Sequence, residues 1–148
     1  MPGYGVPRGR QGLLSWGWAE RRLTRSHNYT LITVRPNGTP HAMPVWGVWV
    51  DTAFYFSTGR RSRKARNLAR NARCVVCTER ADQAVIVEGV AREVKDEKVL
   101  ARVARRYDAK YRPWKLDPEL GPVYAVRPRV AFGMHEKRFA SAATRWRF

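Results

Sequence analysis

Acidic residues are scarce in this chain: 12 Asp and Glu stand against 29 Lys and Arg, a formal charge of +17 over 148 residues. A field that positive gathers anions at the surface, so the candidate partners are nucleic acid, acidic lipid or a polyanionic small molecule. Cysteine is limited to Cys74 and Cys77, and histidine to His27, His41 and His135. The C-V-V-C spacing hints at redox or metal chemistry. However, Arg73–Thr78 has strand composition, and a spacing of three along a strand sends the two thiols to opposite faces. No second cysteine pair completes a zinc site and the histidines are scattered. The expectation is no metal, with two reduced cysteines acting as small apolar side chains. No window holds the eighteen apolar residues of a membrane span, and the opening MPGYGVPRGRQG lacks the apolar stretch of a signal peptide. A cytoplasmic protein with no membrane partner is therefore expected. Missing too are a catalytic triad, a carboxylate dyad and a metal cluster, so no catalytic residue is named.

What the chain does have is core: 44% of it is hydrophobic, with six Trp, which suits one globular domain and excludes a disordered polycation. Glycines and prolines crowd residues 1–12, an expected flexible arm, and leave residues 13–148 as a single domain. Ser15 is placed to cap a short helix on Trp16, Ala19 and Leu23 that ends near Arg25. The β-branched run Tyr29–Val34, the turn residues Pro36, Asn37 and Gly38, and a second run over Pro40–Val50 predict a hairpin. After a turn at Asp51 and Thr52, Ala53–Ser57 predicts a third consecutive antiparallel strand. Arg73–Thr78 and Gln83–Val94 read as two more, the latter bulged at Glu88 and Gly89. Asp96 caps a helix whose apolar face carries Val99, Leu100, Val103, Ala104 and Tyr107. Residues 111–122 read as loop, Val123–Val126 and Val130–Met134 as a last hairpin or one bent strand, and the basic, aromatic residues 143–148 as a tail. Strands dominate and come as hairpins, so a mainly β protein is expected: a closed or nearly closed antiparallel barrel with peripheral helices. Pro44 cannot donate to a ladder, which puts its strand at a sheet edge or a bulge.

The most telling segment is Phe54–Leu68, FYFSTGRRSRKARNL, a buried strand that runs into the start of a basic helix. Ser62 is a candidate N-cap, and Ala65, Leu68, Ala69 and Ala72 share one inward face. Arg63 and Lys64 then fall in the first turn, where cations oppose the helix dipole unless an anion sits there too. The free N–H groups of that turn are ready donors for one. A solvated basic helix is the bland alternative.

Taken together, TVRPNGTPHAMPVW, FYFSTGRRSRKARNL, NARCVVCTE and the ending SAATRWRF resemble the pyridoxamine 5′-phosphate oxidase-like superfamily of split β-barrels. The match is closest to its actinobacterial branch, which uses the deazaflavin coenzyme F-420. The resemblance runs from about Leu13 to Phe148 and is weak over Asp96–Pro122. It implies a homodimeric oxidoreductase with a cofactor in each of two clefts between subunits, handing a hydride to an unsaturated or conjugated small-molecule substrate; an FMN-binding protein is the alternative. The family's Ser-x-Lys element falls on Ser62, Arg63 and Lys64, which would bind the cofactor phosphate. Ser57 and Thr58 would bond that phosphate or the ribityl chain, and Met43, Pro44, Val45 and Trp46 would border the tricyclic ring. Arg60 and Arg61 stand where relatives carry smaller or less charged residues, and an anionic tail could run past them. Nucleic-acid binding, argued by the charge alone, is disfavoured because the basic residues are dispersed and no reader motif is present. A cofactor carrier without turnover is a third class.

Overall fold

The structure is a computed structural model that describes residues 13–148. The arm expected over residues 1–12 lies outside the described residues. Helix α1 (Trp16–Arg25) starts as expected, with the Ser15 hydroxyl accepting from the Trp18 N–H at 3.2 Å. Strands β1 (Tyr29–Val34) and β2 (Pro40–Val45) form the predicted hairpin. Its turn is closed by the Arg35 N–H on the Thr39 carbonyl at 2.9 Å, with Gly38 at φ 84°, where glycine has no Cβ to strain.

Beyond β2 the structure departs from the expected three-strand meander. The run Pro40–Val50 breaks at Trp46 and Gly47, and β3 (Val48–Val50) pairs with β4 (Ala53–Ser57) instead of continuing β2. The cause is local. Gly47 lies against the Phe54 ring and the Tyr55 carbonyl, where even a Cβ would come within 2.2 Å of the ring. Its backbone N–H and C=O are taken by the Tyr111 hydroxyl, each at 2.9 Å, so neither is left for a ladder.

The sheet is completed by β5 (Arg73–Thr78), β6 (Val85–Glu93), β7 (Val123–Gly133) and β8 (Thr144–Arg147). The order is β2-β1-β5-β6-β7-β4-β3, with β8 on β7 and every pairing antiparallel. Its two ends, β2 and β3, are thus neighbours in sequence joined by two residues. The sheet curls round on itself and is closed there by the chain rather than by hydrogen bonds, which is the split-barrel form of the expected mainly β fold. Pro44 sits on the edge strand β2, where no ladder bond is lost.

Two expectations for the second half are refined. The last hairpin or bent strand is one strand of 11 residues, and Pro128 lies opposite Gly89 at the bulge foreseen in β6, the point where a missing N–H does least harm. The C-terminal tail forms β8, its Trp146 packed on Trp16 at 5.4 Å. Helices α2 (Arg63–Arg70) and α3 (Glu97–Lys110) lie outside the sheet, and a short α4 (Phe139–Ala142) precedes β8. One core joins α1 to the sheet through Leu23, Leu31, Phe54, Val76 and Val87; the other packs Val103 of α3 on Val48, Val50, Tyr55 and Val123. Cys74 is buried and Cys77 half-buried on opposite faces of β5, both free. Burial pushes the Cys74 thiol up to about 12, which makes it inert.

Candidate functional site

The start of α2 is built as the sequence predicts. The Ser62 hydroxyl accepts from the Ala65 N–H at 3.2 Å and is itself held by the Thr58 hydroxyl at 3.0 Å. The Ser57 hydroxyl donates to the Gly121 carbonyl at 3.4 Å, tying the end of β4 to the loop before β7. What seats the helix is Asn67, wholly buried, whose amide donates to the Thr33 hydroxyl of β1 at 2.9 Å. Residues 63 and 64 are thereby brought beside the edge strand β2. Burial and the cations of Arg35, Lys64 and Arg63 hold the His41 imidazole of that strand below its usual range. Arg60, Arg61, Arg63 and Arg66 are all exposed, and no acidic residue occupies the first turn of α2.

A cavity of about 560 Å³ opens between this helix start and the edge strand. It is lined by Pro44, Val45 and Trp46 at the end of and just after β2, Ser57 at the end of β4, Lys64 of α2, and Asn28 and Tyr107. Five of the residues singled out in the sequence therefore face one space. Thr58 and Ser62 stand behind it in the hydrogen-bonded turn, Met43 is exposed next to Pro44 on β2, and Arg63 is exposed on the first turn. Arg60 is engaged elsewhere, paired with Glu93 of β6 at 3.0 Å, and Arg61 is exposed outside the cavity wall.

Trp46 apart, sequence reasoning missed the aromatic side of this space. Trp46 stacks on Tyr111 at 4.8 Å and 11°, while Tyr107 and His27 approach Tyr111 at 4.6 and 5.0 Å. Trp114 reaches Trp46 at 6.4 Å. The spacing of 107, 111 and 114 was a signal of one aromatic face, but it straddled the end of a helix and the start of a loop. Lys110 was missed as well. Its ammonium donates to the Tyr29 hydroxyl at 2.8 Å and to the Gly47 carbonyl at 2.9 Å, directly behind Trp46. Chemically the space has a cationic end at a helix N-terminus and an apolar, aromatic end, a shape for a flat molecule with an anionic tail. Among the described residues no cluster of three or more His, Cys, Asp or Glu could hold a metal ion.

A curled antiparallel sheet with this cleft between its split edges and the helix after β4 defines the class as a split barrel. Residues 19–135 match the pyridoxamine 5′-phosphate oxidase family, to which the chain belongs. Among solved structures, the conserved hypothetical protein Rv2991 of Mycobacterium tuberculosis is similar at a TM-score of 0.75 and 22% identity, over 90% of this chain and 92% of that one. An F-420 reductase is similar at 0.60 and 25% identity, over 76% of this chain and 94% of its own. A FAD-binding protein of Mesorhizobium loti reaches 0.62 at 18% identity, over 80% and 92%. No curated protein matches in sequence. No helix among the described residues is long and apolar enough to cross a membrane.

Proposed function

We propose that the protein is a coenzyme F-420-dependent oxidoreductase that reduces an unsaturated or conjugated organic substrate. The observation that carries this is the single cavity that joins Lys64 and Ser57 at the capped helix start to Pro44, Val45 and Trp46 on a sheet edge. The deazaflavin supplies the hydride. The chain supplies the rest: Lys64, Arg63 and the free N–H groups of α2 hold the phosphate, and the hydroxyls of Ser57, Thr58 and Ser62 orient it. Pro44–Trp46 gives the ring an apolar edge, and the Trp46 and Tyr107 side chains, which line the cavity, exclude water from the reacting face. Tyr107 faces the cavity, and burial holds its phenol protonated above the usual range.

FMN binding is the second reading, favoured by the same cavity, since FMN shares the tricycle, ribityl chain and phosphate. The anionic tail of the deazaflavin coenzyme separates the two. With Arg60 committed to Glu93, that tail would run along Arg61, Arg66 and Arg70, exposed on the turn and helix. Exposed pairs of this kind act cumulatively and are screened by salt.

The protein acts as a homodimer on this reading. Ile32, Val75, Cys77, Ile86, Val130 and Phe132 are only half-buried and share the sheet face opposite the core, through the register pairs Ile32 with Val75, Cys77 with Ile86 and Ile86 with Phe132. A second copy fits this face because Glu88 stands among it with Arg73 and Arg129, which lets charges answer each other across a two-fold axis. Pro44 continues the same face through Thr30, so the partner would also wall the cavity.

The test is titration of coenzyme F-420 and FMN at low and high salt with the wild type and Lys64→Ala. A charge-assisted bond to the phosphate is worth roughly 1.5–3 kcal/mol, so the variant should bind on the order of ten- to a hundredfold more weakly with its fold intact. Affinity should rise with glutamate-tail length at low salt. Unchanged affinity in Lys64→Ala removes the phosphate assignment, and FMN binding equally well at both salts selects the second reading.

A further inference from the structure

The Trp46–Gly47 link closes the sheet, borders the cavity and has no ladder of its own, so something else must hold it. Two groups from the end of α3 and the residue after it do so. The Tyr111 hydroxyl accepts from the Gly47 N–H, and its single proton is shared between the carbonyls of His27 and Gly47 at 2.7 and 2.9 Å. Lys110 adds a second bond to the Gly47 carbonyl and lies 4.7 Å over the Tyr29 ring and 5.2 Å over the Tyr111 ring. We propose that Lys110 is a positioning residue of the cofactor site: its ammonium, clamped on the Gly47 carbonyl and the Tyr29 hydroxyl, holds Trp46 in place as the aromatic wall.

This rests on the proposed function for what the wall contacts, but the clamp itself stands on geometry. A partly buried ammonium with only a carbonyl and a phenol as hydrogen-bond partners is a costly way to fill space that a Met could occupy. The cost falls at the joint between the two sheet edges, where a rigid Trp46 matters most. Charge is what makes the clamp strong, since charge-assisted bonds are about twice as strong as neutral ones.

Burial lowers the Lys110 ammonium to about 8, so the clamp weakens within an accessible pH range. The groups around it stay constant there. Tyr29 and Tyr111 are pushed up by burial, Tyr111 to about 12, and remain protonated. Glu79, whose field reaches Lys110, is held below the usual carboxylate range by the His27 and Asn28 N–H groups and remains charged. On the other side Lys110 lines a groove of about 950 Å³ with Glu20 and Asp51 against Arg102, Arg105 and Arg106. Arg102 is paired with Asp51 at 3.0 Å. Tyr107, 4.6 Å from Tyr111, is also raised by burial, and His27 lies edge-on to Trp46 at 6.1 Å.

The experiment follows the Trp46 indole N–H resonance of the full chain from pH 6.5 to 10. The resonance is identified by its loss in Trp46→Phe, and the titration is repeated in a His27→Gln background. The dissociation constants of coenzyme F-420 and FMN are measured across the same range. The expected result is one transition of the Trp46 resonance near pH 8 that survives His27→Gln, with cofactor binding weakening about fivefold or more across it, the size of a modest coupling between sites. Lys110→Arg, charged throughout, flattens both profiles at the low-pH position, and Lys110→Met shows the high-pH resonance and affinity at every pH. A Trp46 resonance that stays fixed to pH 10, a transition that persists in Lys110→Met, or affinity indifferent to the transition overturns the proposal. If neither cofactor binds the wild type the proposed function fails, while the Trp46 resonance of the free protein still decides the clamp. The wild-type profile needs no variant to fold.

Discussion

Gly47→Ala probes the joint that closes this sheet. The added Cβ would lie 2.2 and 2.6 Å from two atoms of the Phe54 ring and 2.6 Å from the Tyr55 carbonyl oxygen, where ordinary contact begins near 3.4 Å. Relief requires a shift of about 1 Å in a ring that is wholly buried and packed on Tyr29 at 4.5 Å, or in the backbone of β4. Neither gives easily, because β4 is laddered on both sides, to β3 and β7. Overpacking of this kind costs about 1–3 kcal/mol, and the upper half of that range is expected here because backbone is among the obstacles. For a domain of this length each kcal/mol lowers the Tm by roughly 2–4 °C, so a drop of about 4–12 °C should appear in thermal melts. Combining the change with Phe54→Leu, which vacates the ring edge, should cost less than the two single changes together by at least about 0.5 kcal/mol. A Gly47→Ala variant within about 0.5 kcal/mol of wild type, or strictly additive with Phe54→Leu, would refute the close-approach argument.

Removing the cap with Ser62→Ala should cost about 1 kcal/mol in urea denaturation and also weaken cofactor binding, since the Thr58 hydroxyl loses its anchor; an effect on stability alone would separate the cap from the site. Lys110 has a native value near 8 against 10.5 for an ordinary lysine, so the folded chain binds fewer protons than the unfolded one between those values. Its burial penalty is complete below pH 8 and relieved from 8 to 10.5, so the Tm difference between wild type and Lys110→Met should move in favour of wild type over that window. Above pH 10 the raised phenols of Tyr29 and Tyr111 act in the opposite sense, because stability is lost once unfolded tyrosines ionise first. If the chain is the proposed homodimer, Ile86→Asp, in the middle of the half-buried outer sheet face, should convert it into a monomer in sedimentation with the fold retained by circular dichroism. A variant that stays dimeric would move the interface elsewhere.

Much of this protein was determined by the sequence alone because its signals are local. Ser15, Ser62 and Asp96 announce three helix starts through one side-chain oxygen each, Pro36-Asn-Gly38 announces a hairpin, and Glu88-Gly89 a bulge; each depends only on neighbours a few residues away. The cationic half of the candidate site was legible for the same reason, since Ser57, Ser62 and Lys64 lie on one short stretch between a strand and a helix. Arg60 belonged to that stretch too, yet only the fold shows Glu93 of β6 standing opposite to claim it. The break at Gly47 was also invisible, because nothing in Pro40–Val50 tells that Phe54 and Tyr111 will converge on it. Lys110 and Tyr111 share that history: their partners Tyr29 and Gly47 are 81 and 64 residues away, and a lysine at a helix end reads from sequence as a solvated charge. Local chemistry is written in neighbouring residues, whereas which backbone carbonyl a buried ammonium meets is settled by how the sheet curls, a sum over contacts that no single segment contains.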